Sequence, residues 1–163
     1  MSSANLLIFL QIATISCGLI SGFFLTFSDF LMRSLKLANA EAGIEVMQII
    51  NREVWKSTTM VLLWSMVALS LFLSVYAYFE LTGSMALFTM TGGIVYLLGV
   101  FVISFRFNVP MNNQLDRMEK SSVETTNYWE DSYVGPWVFW NYIRALKAGI
   151  AAVCFLLASS LVK

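Results

Sequence analysis

The chain has 163 residues, 58% hydrophobic and 12% charged, with a mean hydropathy of +0.73; a soluble domain carries roughly 25% charge. That length leaves room for one four-helix bundle and little else. Formal net charge is zero and histidine is absent, which excludes His-ligated haem, His-containing zinc or copper sites and Ser-His-Asp triads.

The first apolar stretch runs from Asn5 to Phe27, and a hydrocarbon core of about 30 Å needs about 20 helical residues to cross it. Its start, Met1-Ser-Ser-Ala-Asn5, lacks a basic region, and Phe27-Ser-Asp-Phe30 offers no small-x-small cleavage site. A retained span is therefore expected rather than a signal peptide. Gly18 and Gly22 allow close helix approach and are expected to mark packing inside the bundle. Cys17, like Cys154 in the last span, is expected to be a small buried hydrophobe, since a disulfide would need a facing geometry.

The next segment, from Asn39 to Val54, reads as an amphipathic helix. Asn39 is a suitable N-cap with Glu41 in the first turn. Ala40, Ile44, Met47, Ile50 or Asn51, and Val54 recur at helical spacing. Gln48 and Asn51 lie three apart and fall near one another on its surface. Their amides are either solvated or turned into a polar pocket that this helix caps.

Two more spans follow, from Thr58 to Phe79 and from Met85 to Phe107, with a short turn at Glu80–Ser84 between them. No span carries Lys, Arg, Asp or Glu in its middle, where one would cost at least ~2.5 kcal/mol. In lipid such runs must be helices, because backbone polar groups have no water to bond. The lack of mid-span charge argues against a proton pump or ion pathway. No glycine-rich phosphate loop points to nucleotide-driven transport. Gly92, Gly93 and Gly99 are expected at helix contacts.

The second long loop opens with Asn108-Val-Pro-Met-Asn-Asn-Gln-Leu115. Pro110 favours an extended Val109 and removes a helix hydrogen bond, so span three is expected to break or kink there. Asn108, Asn112 and Asn113 carry donors and acceptors suited to capping the freed carbonyls, or to holding a ligand. From Asn113 to about Asp131 the chain is polar and expected to be helical.

Three of the five tryptophans and three of the six tyrosines fall between Tyr128 and Tyr142. Pro136 suits a first helical turn, so span four is expected to begin near it, giving a span over 137–162. An interfacial aromatic belt explains this cluster. Trp137, Trp140, Asn141 and Arg144 also share three- and four-residue spacing, and an aromatic wall beside an amide and a guanidinium suits a flat, oxygenated ligand. Arg33, at the end of span one, is a candidate to join them.

Arg33, Lys36, Arg52 and Lys56 lie between spans one and two, and Arg106, Arg117, Lys120, Arg144 and Lys147 lie between or beside spans three and four. Short loops rich in Lys and Arg stay in the cytoplasm, so both termini are expected outside and both long loops inside, across a bacterial inner membrane. Nine of the ten acidic residues share the loop side, which gives a mixed-charge surface with no uncompensated basic stripe for nucleic acid. Glu41, Glu45, Glu53, Asp116 and Glu119 read as solvated helix faces, and no metal site is expected.

Four motifs in order resemble the membrane family whose best-known members are the fungal anthrone oxygenases. They are Phe27-Ser-Asp-Phe-Leu-Met32, Gly43-Ile-x-x-Met-Gln-x-Ile-Asn51, Asn108-Val-Pro-Met-Asn-Asn-Gln-Leu115 and Trp137-x-x-Trp-Asn-x-x-Arg144. The resemblance covers nearly the whole chain. It implies oxygen insertion into the activated methylene of a tricyclic anthrone, with no metal or flavin and hence no cofactor. Protein groups would supply positioning and charge stabilisation.

The expectation is thus an all-α integral membrane four-helix bundle with cytoplasmic amphipathic loop helices, one domain over 1–163. Its partners are the lipid bilayer and an aromatic, quinol-like small molecule. Arg144, Asn108 and Asn112 are the candidate catalytic residues; Gln48, Asn51, Trp137, Trp140 and Asn141 are the candidate substrate-binding ones. The alternative is a non-enzymatic membrane protein, either a ligand binder or an accessory or scaffold subunit, in which the same groups serve as caps and anchors.

Overall fold

Long apolar runs leave the backbone no partner but itself, and in the computed structural model, which describes residues 1–162, they fold as helices. In chain order these are α1 (Ser3–Leu37), the shorter α2 (Ala40–Glu53), α3 (Thr58–Glu80), α4 (Gly83–Asp116) and α5 (Val123–Ser159). Four of them, all but α2, are long and apolar enough to cross a membrane. The chain is an integral membrane protein with a helical bundle fold, and no strand occurs among the described residues.

The tightest pairing joins α1 to α5. The inner face of α1 is Leu6, Leu10, Ala13, Cys17, Ile20 and Phe24, an alternation of four- and three-residue steps that favours shallow helix crossing. It meets Ala145, Ala148, Ala151 and Ala158 of α5, all buried. These small side chains let the two backbones approach where lipid provides no hydrophobic drive. Ser21 adds an interhelical bond, its Oγ donating to Ala145 O at 2.8 Å.

Helix α4 packs against both α3 and α5. A Cβ at Gly93 would stand 2.7 Å from Ser70 O, and one at Gly92 would stand 3.2 Å from the Cys154 Cβ. Both positions need glycine for approach. Gly18 and Gly22 differ: nothing lies within 4 Å of a Cβ at either. They face outward, so the expectation of packing inside the bundle is corrected. The internal face of α1 was already taken by its larger residues. Cys17 and Cys154 are both free and buried.

A second core sits at the end bearing both long loops. Met32, Ile44, Met47, Leu115, Trp129 and Tyr133 are buried there together, each large apolar side chain contributing about 1.5–3 kcal/mol. This core seats α2 across the bundle end. Asn39 Oδ1 accepts from Glu41 N at 3.0 Å and starts the helix. Gly43 lets it touch α1, since a Cβ would come within 2.5 Å of Leu35 O. Exposed ion pairs Arg52–Asp116 at 3.2 Å and Lys120–Glu45 at 2.6 Å add little.

Neither proline breaks its helix. Val109 is helical, with φ −63 and ψ −44, and α4 runs on to Asp116. A π turn at Ser104–Asn108 precedes Pro110, and another at Tyr128–Tyr133 precedes Pro136. The widened turn makes room for a ring that would otherwise press on the preceding carbonyls. Helix α5 accordingly begins at Val123, capped by Ser122 Oγ accepting from Thr125 N at 3.1 Å, rather than near Pro136. The segment expected to be helical from Asn113 to Asp131 is interrupted between Asp116 and Val123.

Candidate functional site

Where α2 covers the bundle, the helix ends line a partly open cavity of about 110 Å³. One water needs about 10–15 Å³ on this measure and about 30 Å³ of liquid, so the space matches about eight waters, or about 240 Å³. That is the size of about two or three fused aromatic rings. Most of the wall is apolar, including Phe24, Phe27, Met47, Leu63, Tyr96 and Val100. The polar wall is Asn51, Ser104, Asn108, Asn112, Asn141 and Arg144.

Two four-residue ladders place these groups. On α4, Ser104, Asn108 and Asn112 repeat every four residues; on α5, Tyr133, Trp137 and Asn141 do the same, with Arg144 one further turn on. Asn112 links the ladders, its Oδ1 accepting from Tyr133 Oη at 2.8 Å and from Trp137 Nε1 at 2.7 Å. Asn51 Nδ2 donates weakly to Tyr133 Oη at 3.5 Å, bringing α2 into the network. Asn141 Nδ2 donates to Phe24 O and Ser28 Oγ, both at 2.6 Å. Phe24 lies just before the π turn at Phe27–Leu31 of α1, and Ser28 lies within it.

Arg144 is only 8% exposed, yet no carboxylate pairs with it. Its Nη1 donates to Ser104 Oγ at 3.1 Å and its Nη2 to Asn141 Oδ1. The guanidinium carbon lies 4.2 Å from the Phe24 ring centroid and 5.7 Å from that of Trp137, contacts worth about 2 kcal/mol when desolvated. Among the described residues, three buried side-chain atoms lack any partner: Ser70 Oγ, Asn108 Oδ1 and Arg144 Nε. The last two belong to cavity-lining residues. Two residues of the cavity wall thus hold polar atoms with unmet hydrogen-bonding capacity, both atoms fully buried, and a buried polar group left unpaired costs about 1–3 kcal/mol.

Several expected site residues come together: Asn51, Asn108, Asn112, Trp137, Asn141 and Arg144 all line the cavity. Two, Gln48 and Trp140, do not line it. Gln48 Nε2 donates to Leu115 O at 2.8 Å and Met118 O at 2.9 Å, which closes the carbonyl end of α4. Trp140 turns away and stacks on Phe107 with centroids 3.6 Å apart. Arg33 is exposed and stays outside, as does Asn113.

Asn108 does not cap its own helix; Nδ2 reaches Trp137 O at 3.1 Å on α5. The break expected at Pro110, which would have freed carbonyls for Asn108 to cap, does not occur. Ser104, Phe24, Ser28 and Tyr133 were not singled out from sequence. The four-residue recurrence through Ser104, Asn108 and Asn112 was the available signal for the first of these.

No group of three or more His, Cys, Asp or Glu that could hold a metal ion exists among the described residues. No curated protein matches the chain, and no solved structure does. The anthrone oxygenase family model matches residues 52–154. That stretch carries both ladders and Arg144, while Phe24, Ser28 and Gln48 lie before it. With nearly two thirds of its length matched, the chain belongs to the anthrone oxygenase family.

Proposed function

We propose that this protein is an oxygenase of flat, lipophilic, hydroxylated aromatics, working without metal or flavin. The observation that carries the proposal is Arg144: a buried cation with no counter-charge, set in the wall of the cavity. Negative charge developing on a ring oxygen is stabilised there, in a setting where a donor is worth more than in water. Asn108 and Asn112 orient the ring, and Asn51, Trp137 and Asn141 complete the walls.

For an anthrone, the activated methylene loses one proton to water and leaves a delocalised anion. Four electrons pass from that carbon to one molecule of oxygen. One oxygen atom becomes the new carbonyl, and the other leaves as water with the two hydrogens. The substrate supplies all the electrons, so the protein's part is placement and charge stabilisation.

The single chain 1–163 is the proposed functional unit. The distribution of Lys and Arg supports loops and cavity on the cytoplasmic side of a bacterial inner membrane, with both termini outside. The test is oxygen uptake by protein in lipid nanodiscs supplied with a hydroxylated anthrone. Turnover is expected in the wild type and a loss of about 10²–10³ in Arg144→Met. Binding of the anthrone with no uptake above background would refute catalysis and leave a ligand-binding protein.

A further inference from the structure

The cavity is not walled by the bundle on every side. Trp64 of α3 and Phe105 of α4 line it, yet they are 46% and 43% exposed on the outer surface. The inner wall and the lipid-facing surface are therefore formed by the same side chains at this seam. Trp64 packs on Phe101 at 5.4 Å and on Phe105 at 5.9 Å between centroids. Three rings close the gap between two helices whose backbones part at this end. Beside the seam α3 and α4 are linked through Tyr96 Oη, which donates to Leu63 O at 3.1 Å.

The seam lies at a defined depth. Trp64 is six residues beyond the start of α3 at Thr58, or about 9 Å along the axis. That places it within the apolar run that crosses the bilayer rather than in water. From the seam inward the lining is Met60, Leu63, Val67, Val100 and Phe101, all apolar. The polar part of the lining includes Asn108 and Arg144.

Resting on the assignment of the cavity as a phenol site, we propose that the ligand is an amphiphile drawn from the bilayer. It is a phenol with one alkyl chain, whose ring sits at Arg144 and Asn108 while the chain leaves between α3 and α4. A phenolic hydroxyl both donates and accepts, which suits a wall that carries the amides of Asn108 and Asn112 and the guanidinium of Arg144. A quinone carbonyl or a carboxylate has no hydrogen to give to an amide oxygen. The chain is matched to an apolar seam open to lipid, so neither ring nor chain need cross water.

The test is photolabelling in nanodiscs with a phenol carrying a para-octyl chain that ends in a diazirine, with 4-octylphenol as competitor. Label is expected on peptides spanning residues 60–67 and 101–105. It should be lost with excess competitor, and lost also in Arg144→Met and in Asn108→Ala, the second variant guarding against misfolding of the first. Competitor-sensitive label that falls on α2, or on the groove between α1 and α5 beside Leu25 and Ile150, would overturn the seam. If that label still depended on Arg144 and Asn108, the phenol site itself would stand. Competitor-sensitive label at the seam in both variants would remove the ring anchor and with it the phenol assignment. Label that the competitor reduces nowhere would overturn both.

Discussion

Replacing Arg144 by methionine separates a binding group from a structural strut. The change keeps an unbranched stem as far as the Nε position and removes the guanidinium with its charge. It takes away the donors to Ser104 Oγ and Asn141 Oδ1 and the contact with the Phe24 ring. Leaving Asn141 Oδ1 without a donor costs about 1–3 kcal/mol, and the lost cation–π contact about 2 kcal/mol. Against this stands the burial of an uncompensated guanidinium, which costs several kcal/mol and vanishes with the substitution. The two sides nearly cancel, so Tm should move by no more than about 4 °C, since 1 kcal/mol corresponds to about 2–4 °C at this chain length. Phenol binding should fall far more. Losing a hydrogen bond from a charged donor removes about 1.5–3 kcal/mol, or about 10- to 160-fold in Kd. Unfolding can be followed with a thiol-reactive dye, because Cys17 and Cys154 are free and buried; binding can be followed by fluorescence of Trp137 on the cavity wall. A drop of many degrees with unchanged affinity per folded molecule would show that Arg144 braces the fold and does not face a ligand.

Two other substitutions test the parts that hold the site. Gln48→Ala removes both bonds to Leu115 O and Met118 O and should lower stability by about 1–3 kcal/mol; a matching loss of phenol affinity in the protein that remains folded would contradict its placement outside the cavity. Gly43→Ala puts a Cβ within 2.5 Å of Leu35 O and should cost about 1–3 kcal/mol, whereas Gly18→Ala meets nothing and should stay within about 0.5 kcal/mol. Equal thermal shifts in the two alanine variants would contradict that difference.

The spans and the loop helix were legible because lipid and water impose strong, local patterns. An apolar run of 20 residues has one solution, and Asn39 with Glu41 signals a helix start within four residues. The site was only partly legible because its geometry is set by contacts between distant segments. Gln48 resembles Asn51 as a candidate, yet its carbonyl partners lie 67 and 70 positions away. Trp137 and Trp140 differ by three residues, less than one turn, and that difference sends one ring to the cavity and the other to Phe107. The prolines misled for a related reason. Their local rule favours a break, while the π turns before them depend on packing against neighbouring helices.

Those π turns carry a consequence for the phase of the helices. A π turn is an α-helix with one residue beyond what its turn holds, and each residue advances a helix by about 100°. The turn at Ser104–Asn108 therefore sets the angular position of Asn112 and all that follows on α4. The turn at Tyr128–Tyr133 does the same for Trp137, Asn141 and Arg144 on α5. Removing one residue from either turn would give a more regular helix and an unchanged span length, but the two ladders would no longer face each other. In relatives of this chain, a one-residue gap at either turn would mark a protein with the same bundle and no such cavity wall.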